Sequence, residues 1–242
     1  MRCEKNDIGA NLTAHCAALE HAAAEGCDLA VFPEFSLTGS VDPARHPEAT
    51  ITTDDPALAA LAAATARTGV AAVFGLAERE RDRFLITQAV VRDGELVGLH
   101  RKRHLGEDEK IYKAGTGAFT FPVGTTQCGI VICAEGGVDW TWDETVAAGA
   151  RVICFCSAPG LYGRRTDEAA WRAGFEWWHQ HGLERARTTA RRLDIWIALA
   201  TQAGATVDED FPGIAALIAP DGSVVDRLPD WRPGRLVVDV DA

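Results

Sequence analysis

The sequence predicts an α/β layered domain with mixed sheets. Three observations point there. Short apolar runs of strand length alternate with helical stretches near both ends of the chain, hairpin turn signals sit between them, and the composition is 47% hydrophobic and 24% charged, ordinary for a globular protein. With 242 residues the chain can bury a substantial core. No internal repeat, linker or low-complexity tract divides it, so residues 1–242 read as one domain.

The elements follow in order. Residues 11–25, NLTAHCAALEHAAAE, read as a helix with Leu12, Cys16, Leu19 and Ala23 on one face and Gly26 as the stop. DLAVFPEF reads as a short buried strand ending near Pro33. DPALAALAAATAR, residues 55–67, is a second helix that stops before Gly69, and VAAVFGLAE is the next strand. FLITQAVVR and LVGLHRK form a hairpin through Asp93-Gly94, a pair that tolerates the positive φ of a tight turn. A polar loop leads to the strand TTQCGIVICAE, the helix WTWDETVAAGA and the strand RVICFCSA. Residues 167–193 read as one long helix with weak points at Gly174 and Gly182. IWIALAT, GIAALIAP and SVVDRL are strands, the last two turned by Pro220-Asp221-Gly222, and RLVVDV is a closing strand.

Composition excludes several function classes. A net charge of −11 disfavours nucleic acid, whose phosphates need a basic face. No apolar run reaches the roughly 18 residues that cross a membrane. The start, MRCEKNDIGANL, has no signal-peptide core, so a cytoplasmic protein is expected. Seven cysteines, an odd number at irregular spacing without an export signal, read as free thiols. Cys154-Phe155-Cys156 places two thiols on one strand face, where core filling is the reading. His104, His179 and His181 form no metal-ligand pattern, and neither metal nor organic cofactor is expected.

Three strands end in a reactive group: Glu34 in VFPEF, Lys102 in HRKRHL and Cys133 in VICAE. Taken singly, each has a plain structural explanation. Glu34 could leave the core as its strand ends, Lys102 could be solvated beside Arg101 and Arg103, and Cys133 could be a small buried hydrophobe. Together they make chemical sense. The thiolate is the attacking species of a cysteine enzyme, a carboxylate can take the thiol proton, and an ammonium can hold charge developing on a carbonyl oxygen.

On these residues the chain resembles the nitrilase, or carbon-nitrogen hydrolase, superfamily over almost its whole length. DLAVFPEFSLTG is similar to that family's glutamate motif, HRKRHLGEDEKIYKAG to its lysine motif, and GIVICAE to its cysteine motif, in the family's order. The resemblance implies a four-layer α-β-β-α sandwich with two mixed β-sheets. It implies Glu34 as general base, Lys102 as catalytic lysine and Cys133 as nucleophile. Glu109 is implied as a second glutamate that orients Lys102 or substrate, with Gly115 as the glycine that follows. The backbone N–H of Ala134 would join Lys102 at the oxyanion. A solvated charge in the run Glu107-Asp108-Glu109 is the competing reading of Glu109.

The chain departs from the family pattern in three places. It opens with MRCEKNDIGAN, where family members carry an apolar strand, so an exposed sheet edge is expected. After the cysteine, Gly137, Asp139 and Trp140 stand where the amidase branch has an aromatic or arginine and a Pro-Glu pair, and Gly136 stands where true nitrilases have asparagine or histidine. LYGRRTDEAAWRAGFEWWHQHG is rich in Trp and Arg, and Trp171, Trp177 and Trp178 could line a pocket, meet a second subunit or pack on their own sheet. The expectation is an amidase acting on a small linear amide or carbamoyl compound as a homo-oligomer. The alternatives are a nitrilase, an acyl-transfer enzyme with an amine acceptor, and a catalytically silent binding protein on the same fold.

Overall fold

The computed structural model describes residues 1–160 and 168–241. Helix α1 (Ile8–Ala24) starts at Asp7, whose carboxylate accepts the Ala10 N–H. It leads into strand β1 (Leu29–Val31). Helix α2 (Pro56–Thr68) is capped by Asp55, carries Pro56 in its first turn and ends at Gly69 in the left-handed conformation that glycine adopts without strain. Strands β2 (Ala71–Glu80), β3 (Arg83–Arg92) and β4 (Glu95–Arg101) follow. The expected turn between β3 and β4 has Asp93 at φ 53° and Gly94 at φ 88°. Then come β5 (Thr120–Val123), β6 (Thr126–Ile132), helix α3 (Asp139–Ala147) and β7 (Val152–Ser157). Helices α4 (Glu168–Trp178) and α5 (Arg185–Leu193) precede β8 (Trp196–Thr201), the short pair β9 (Ala203–Ala205) and β10 (Asp210–Pro212), β11 (Ala216–Ile218) and β12 (Val224–Arg227).

Two sheets result. The first has the order β1-β2-β3-β4, with β1 parallel to β2 and the rest antiparallel. The second has the order β12-β11-β8-β7-β6-β5, parallel from β6 to β8 and antiparallel at both flanks. Val73, Ile86, Val90, Ile130, Ile132 and Cys154 fill the space between the sheets. Leu19, Leu58 and Leu61 seal the outer face of the first sheet, while Trp142, Trp178 and Ala186 seal that of the second. This is the expected four-layer sandwich. Cys154 and Cys156 both lie in the inter-sheet core as free thiols, and Phe155 on the opposite face packs against Trp142 and Trp178.

Several expectations need correction. The face of α1 turned fully inward is Asn11, His15 and Leu19, with Leu12, Cys16 and Ala23 only partly covered, because polar partners at the first sheet's end draw the helix around. Strand β5 lies in what reads as polar loop, an edge strand containing Pro122 that a tight turn pairs to β6. Strands β9 and β10 were also not legible. RLVVDV is not a strand. Its burial does alternate, with Val237 exposed and Val240 on the inter-sheet core, but no strand among the described residues pairs with it. The long helix keeps its direction past Gly174, but at Gly182 it widens into a π-helical stretch, His179–Glu184. There a Cβ on Gly182 would lie 2.7 Å from the Trp178 ring, so the bare backbone lets the indole pack. The stretch 161–167, which opens the Trp- and Arg-rich segment, lies outside the described residues. Trp178 packs on its own sheet, Trp171 stacks on Trp231, and Trp177 is 56% exposed. The first sheet ends on β1, three residues long and only partly covered.

Candidate active site

The ends of β1, β4 and β6 bring Glu34, Lys102 and Cys133 together. Beyond β1 the chain turns sharply at Phe35, φ 55°. That turn is fastened from several sides. Leu37 donates to the Gly75 carbonyl at 2.8 Å, and Ser36 Oγ accepts the Gly75 N–H at 3.0 Å while lying 3.0 Å from His15 Nε2. Gln202 Nε2 donates to the Glu34 carbonyl at 3.0 Å. Glu34 is buried, and its Oε2 accepts the Ala158 N–H at 3.0 Å.

Lys102 follows β4 directly and is the opposite of a solvated charge: its side chain is 0% exposed. Its N–H donates to Ile86 and its carbonyl accepts from Gly115, both at 2.8 Å. Gly115 is needed as glycine, since a Cβ there would stand 2.4 Å from the Arg101 carbonyl oxygen. Nζ lies 2.8 Å from Glu34 Oε1 and 2.5 Å from Glu109 Oε1. Glu107 and Asp108 do face solvent, whereas Glu109 is turned in and its Oε2 accepts the Gly106 N–H at 2.6 Å. The solvated reading of Glu109 is thereby excluded.

Cys133 begins a five-residue 3-10 turn, Cys133–Gly137, at the end of β6. Its φ of 39° is a left-handed conformation that costs a non-glycine residue of order 1–3 kcal/mol, and such strain clusters where a side chain must be aimed. The thiol lies beside the Glu34 carboxylate and the Ala158 N–H, and both act on its proton. Ala134 is partly exposed on the same turn.

Charge balance explains the electrostatics. Two carboxylates, one ammonium and a thiol share this small buried volume. Burial, and then the negative charge of Glu109, raise the Glu34 pKa against the pull of Lys102. Burial would lower the Lys102 pKa, but the Glu34 and Glu109 carboxylates outweigh it and hold the ammonium charged. Burial and the neighbouring Glu34 raise the Cys133 thiol, so in the resting site the proton stays on sulfur. The arrangement places a carboxylate that can take that proton, and a fixed cation, beside the sulfur.

Two neighbours were not anticipated. Tyr112 lies next to the cluster with its hydroxyl donating to the Val41 carbonyl at 2.8 Å. Glu135, two residues after Cys133, is 0% exposed and bound to His100 and Arg103. One signal for the second group was available: His100 and Lys102 alternate along one strand, so both polar side chains had to face the same buried side.

Among curated proteins no sequence match is found. Solved structures do match. The amidase of Nesterenkonia sp. AN1 aligns with a TM-score of 0.82 at 22% identity, over 99% of this chain and 89% of the amidase. Another structure of that amidase, with the acetamide moiety of fluoroacetamide added covalently at its active-site cysteine, aligns at 0.80 and 20%, over 96% and 84%. The glutamine-dependent NAD+ synthetase of Acinetobacter baumannii aligns at 0.80 and 19%, over 97% of this chain but 43% of the synthetase, so the chain spans less than half of that protein. At these identities the likeness is one of fold. The model of the carbon-nitrogen hydrolase family matches residues 1–242, and the chain belongs to that family.

Proposed function

We propose that the chain hydrolyses a small linear amide or carbamoyl compound through a thioester on Cys133. The observation that carries this reading is the fully buried Lys102 ammonium, held between Glu34 and Glu109 with the Cys133 thiol beside them. Burying an ammonium with two carboxylates costs several kcal/mol of desolvation per ion, and apolar residues of similar volume would serve packing as well or better. A catalytic role accounts for retaining it.

In the proposed reaction Glu34 accepts the thiol proton as Cys133 Sγ attacks the amide carbon. The carbonyl oxygen gains charge and is met by Lys102 Nζ and the Ala134 N–H. Collapse breaks the C–N bond, Glu34 returns its proton to the departing ammonia or amine, and the thioester remains. Glu34 then takes a proton from water, which attacks the thioester carbon. The acid leaves, and the proton returns to the cysteine sulfur. Glu109 holds Lys102 Nζ in place throughout. The raised Glu34 pKa suits a group that must both take and return a proton. Among the described residues no helix is long and apolar enough to cross a membrane. The reading extends to a cytoplasmic homo-oligomer, for which the exposed Trp177 offers contact surface.

The test is a screen of amides, carbamoyl amines and nitriles for ammonia release. Fluoroacetamide, which adds to the cysteine of the similarly folded Nesterenkonia amidase, is the covalent probe. Intact-protein mass spectrometry followed by peptide mapping should place the adduct on Cys133. Turnover of nitriles alone would overturn the amide assignment, and an adduct on another cysteine would overturn the nucleophile.

A further inference from the structure

The Cys133 turn holds a second buried carboxylate that the proposed chemistry does not use. Glu135 Oε2 accepts the Ile132 N–H at 2.7 Å and lies 3.0 Å from His100 Nε2. Its Oε1 accepts the Arg103 N–H at 2.9 Å and Arg103 Nε at 3.1 Å. His100 and Arg103 stand on either side of Lys102, and Ile132 immediately precedes Cys133. One side chain thus joins the end of β4 in the first sheet to the end of β6 in the second. The far end of the group is anchored too. Arg103 reaches Glu144 Oε2 at 2.8 Å and the Thr141 carbonyl at 2.9 Å, and Thr141 Oγ1 donates to the Glu135 carbonyl at 2.6 Å.

We propose that Glu135 is a positioning residue of this hydrolase: its carboxylate straps His100 and Arg103, on either side of Lys102, to the residue preceding Cys133 and so fixes the ammonium against the thiol. The proposal rests on the function proposed above. Four hydrogen-bond contacts converge on two oxygens, which a carboxylate satisfies and a carboxamide does not. Glutamine would present one oxygen, and its NH2 would face two of the donors. The two sheets meet here through side chains, without a shared backbone ladder, so loss of the strap frees Lys102 to shift relative to Cys133. Misplacement by about 1 Å from a group outside the chemistry can cost roughly 100-fold in rate.

The test uses the full chain and measures Cys133 alkylation by iodoacetamide against pH, read by mass spectrometry. In the wild type Cys133, with Glu34 beside it to take the thiol proton as sulfur attacks, should label faster than the other six cysteines. In Glu135→Gln its labelling should slow about 100-fold at neutral pH, and the profile should move to higher pH, because an ammonium farther from sulfur supports the thiolate less. Thermal melting separates this from simple loss of fold, which would expose the buried thiols and speed their labelling. Should Glu135→Gln fail to fold, Arg103→Lys keeps the backbone donor and the charge but lacks Nε, and about tenfold slowing is expected. A fast wild type with an unchanged profile in either folded variant would overturn the strap and leave the proposed function standing. A wild-type Cys133 no faster than the other thiols would overturn both.

Discussion

Two carboxylates lie buried on either side of the same strand end, and they are held in opposite ways. Burial raises the Glu34 pKa, and because Glu34 shares Lys102 with a second carboxylate, Glu109, its partners do not offset that rise. Glu135 faces His100, the Arg103 guanidinium and two backbone N–H groups. Burial alone would raise its pKa, but these partners outweigh it and the pKa is lowered. The difference teaches what separates the carboxylate proposed to carry the proton from the one proposed to hold the turn. Depth of burial is similar, since both are essentially inaccessible. What differs is whether the partners satisfy the charge or leave it wanting a proton.

The largest effect should come from removing the sulfur. Cys133→Ala is expected to reduce amide turnover to background with the melting temperature nearly unchanged, since the thiol fills little of the core and its turn is fastened by Glu135. Ammonia release that stays within tenfold of wild type would dissolve the functional side of the comparison. Lys102→Ala should follow. In the proposed reaction its ammonium meets an oxygen whose charge is small in the bound amide and large in the tetrahedral intermediate, so it would lower the barrier more than it tightens binding. Loss of a single oxyanion donor costs about 100- to 1000-fold in kcat. Arginine should not rescue it, because a planar fork does not replace a compact ammonium between two carboxylates. Near-normal kcat with a raised KM would reduce Lys102 to a binding group.

How much of this was legible depended on whether a signal was local. Glu34, Lys102 and Cys133 could be singled out because each is a polar or reactive residue at the end of an apolar run, and Asp93-Gly94 could be read because two residues determine that turn. Glu135 could not. In CAEGG it reads as the polar end of a strand, and its partners arrive from β4, more than thirty residues earlier. Arg103 was obscured in the same way, since HRKRH has the composition of a solvated run although Arg103 is 7% exposed. RLVVDV misled for the converse reason. Alternation is a property of the segment, whereas a strand also needs a neighbour to pair with.

The two glycines after Cys133 sharpen the packed side of the comparison. A Cβ on Gly136 would stand 2.5 Å from the Phe155 ring, while a Cβ on Gly137 would meet nothing within 4 Å. Phe155 is wedged between Trp142 and Trp178 and has little room to yield. Gly136→Ala should therefore cost about 1–3 kcal/mol of overpacking, and Gly137→Ala should change stability by less than about 0.5 kcal/mol. Equal denaturant midpoints for the two variants would show that the turn moves more freely than its contacts imply.

The smallest effect is also the most direct test of the contrast, because the two carboxylates should couple stability to pH with opposite signs. A group whose folded pKa is raised favours the folded state when protonated, and that contribution fades as pH rises through the folded pKa. Glu34 is of this kind, so ionising it at neutral pH works against folding. Glu34→Gln keeps the shape, remains neutral, and leaves Lys102 paired with Glu109. Relative to wild type it should gain stability as pH rises from about 4, the ordinary carboxylate range, towards 8. A group whose folded pKa is lowered behaves conversely: its stabilisation is present above the unfolded pKa and is lost as pH falls through the folded one. Glu135 is of this kind, so Glu135→Gln should be most destabilised at neutral pH and converge on wild type in acid. Melting temperatures of the three proteins between pH 4 and 8, at fixed ionic strength, give the two difference curves. Slopes of opposite sign are the expected result. Curves that run parallel would mean that the two carboxylates are held alike, and that what makes one site reactive lies in the thiol and not in the charge around it.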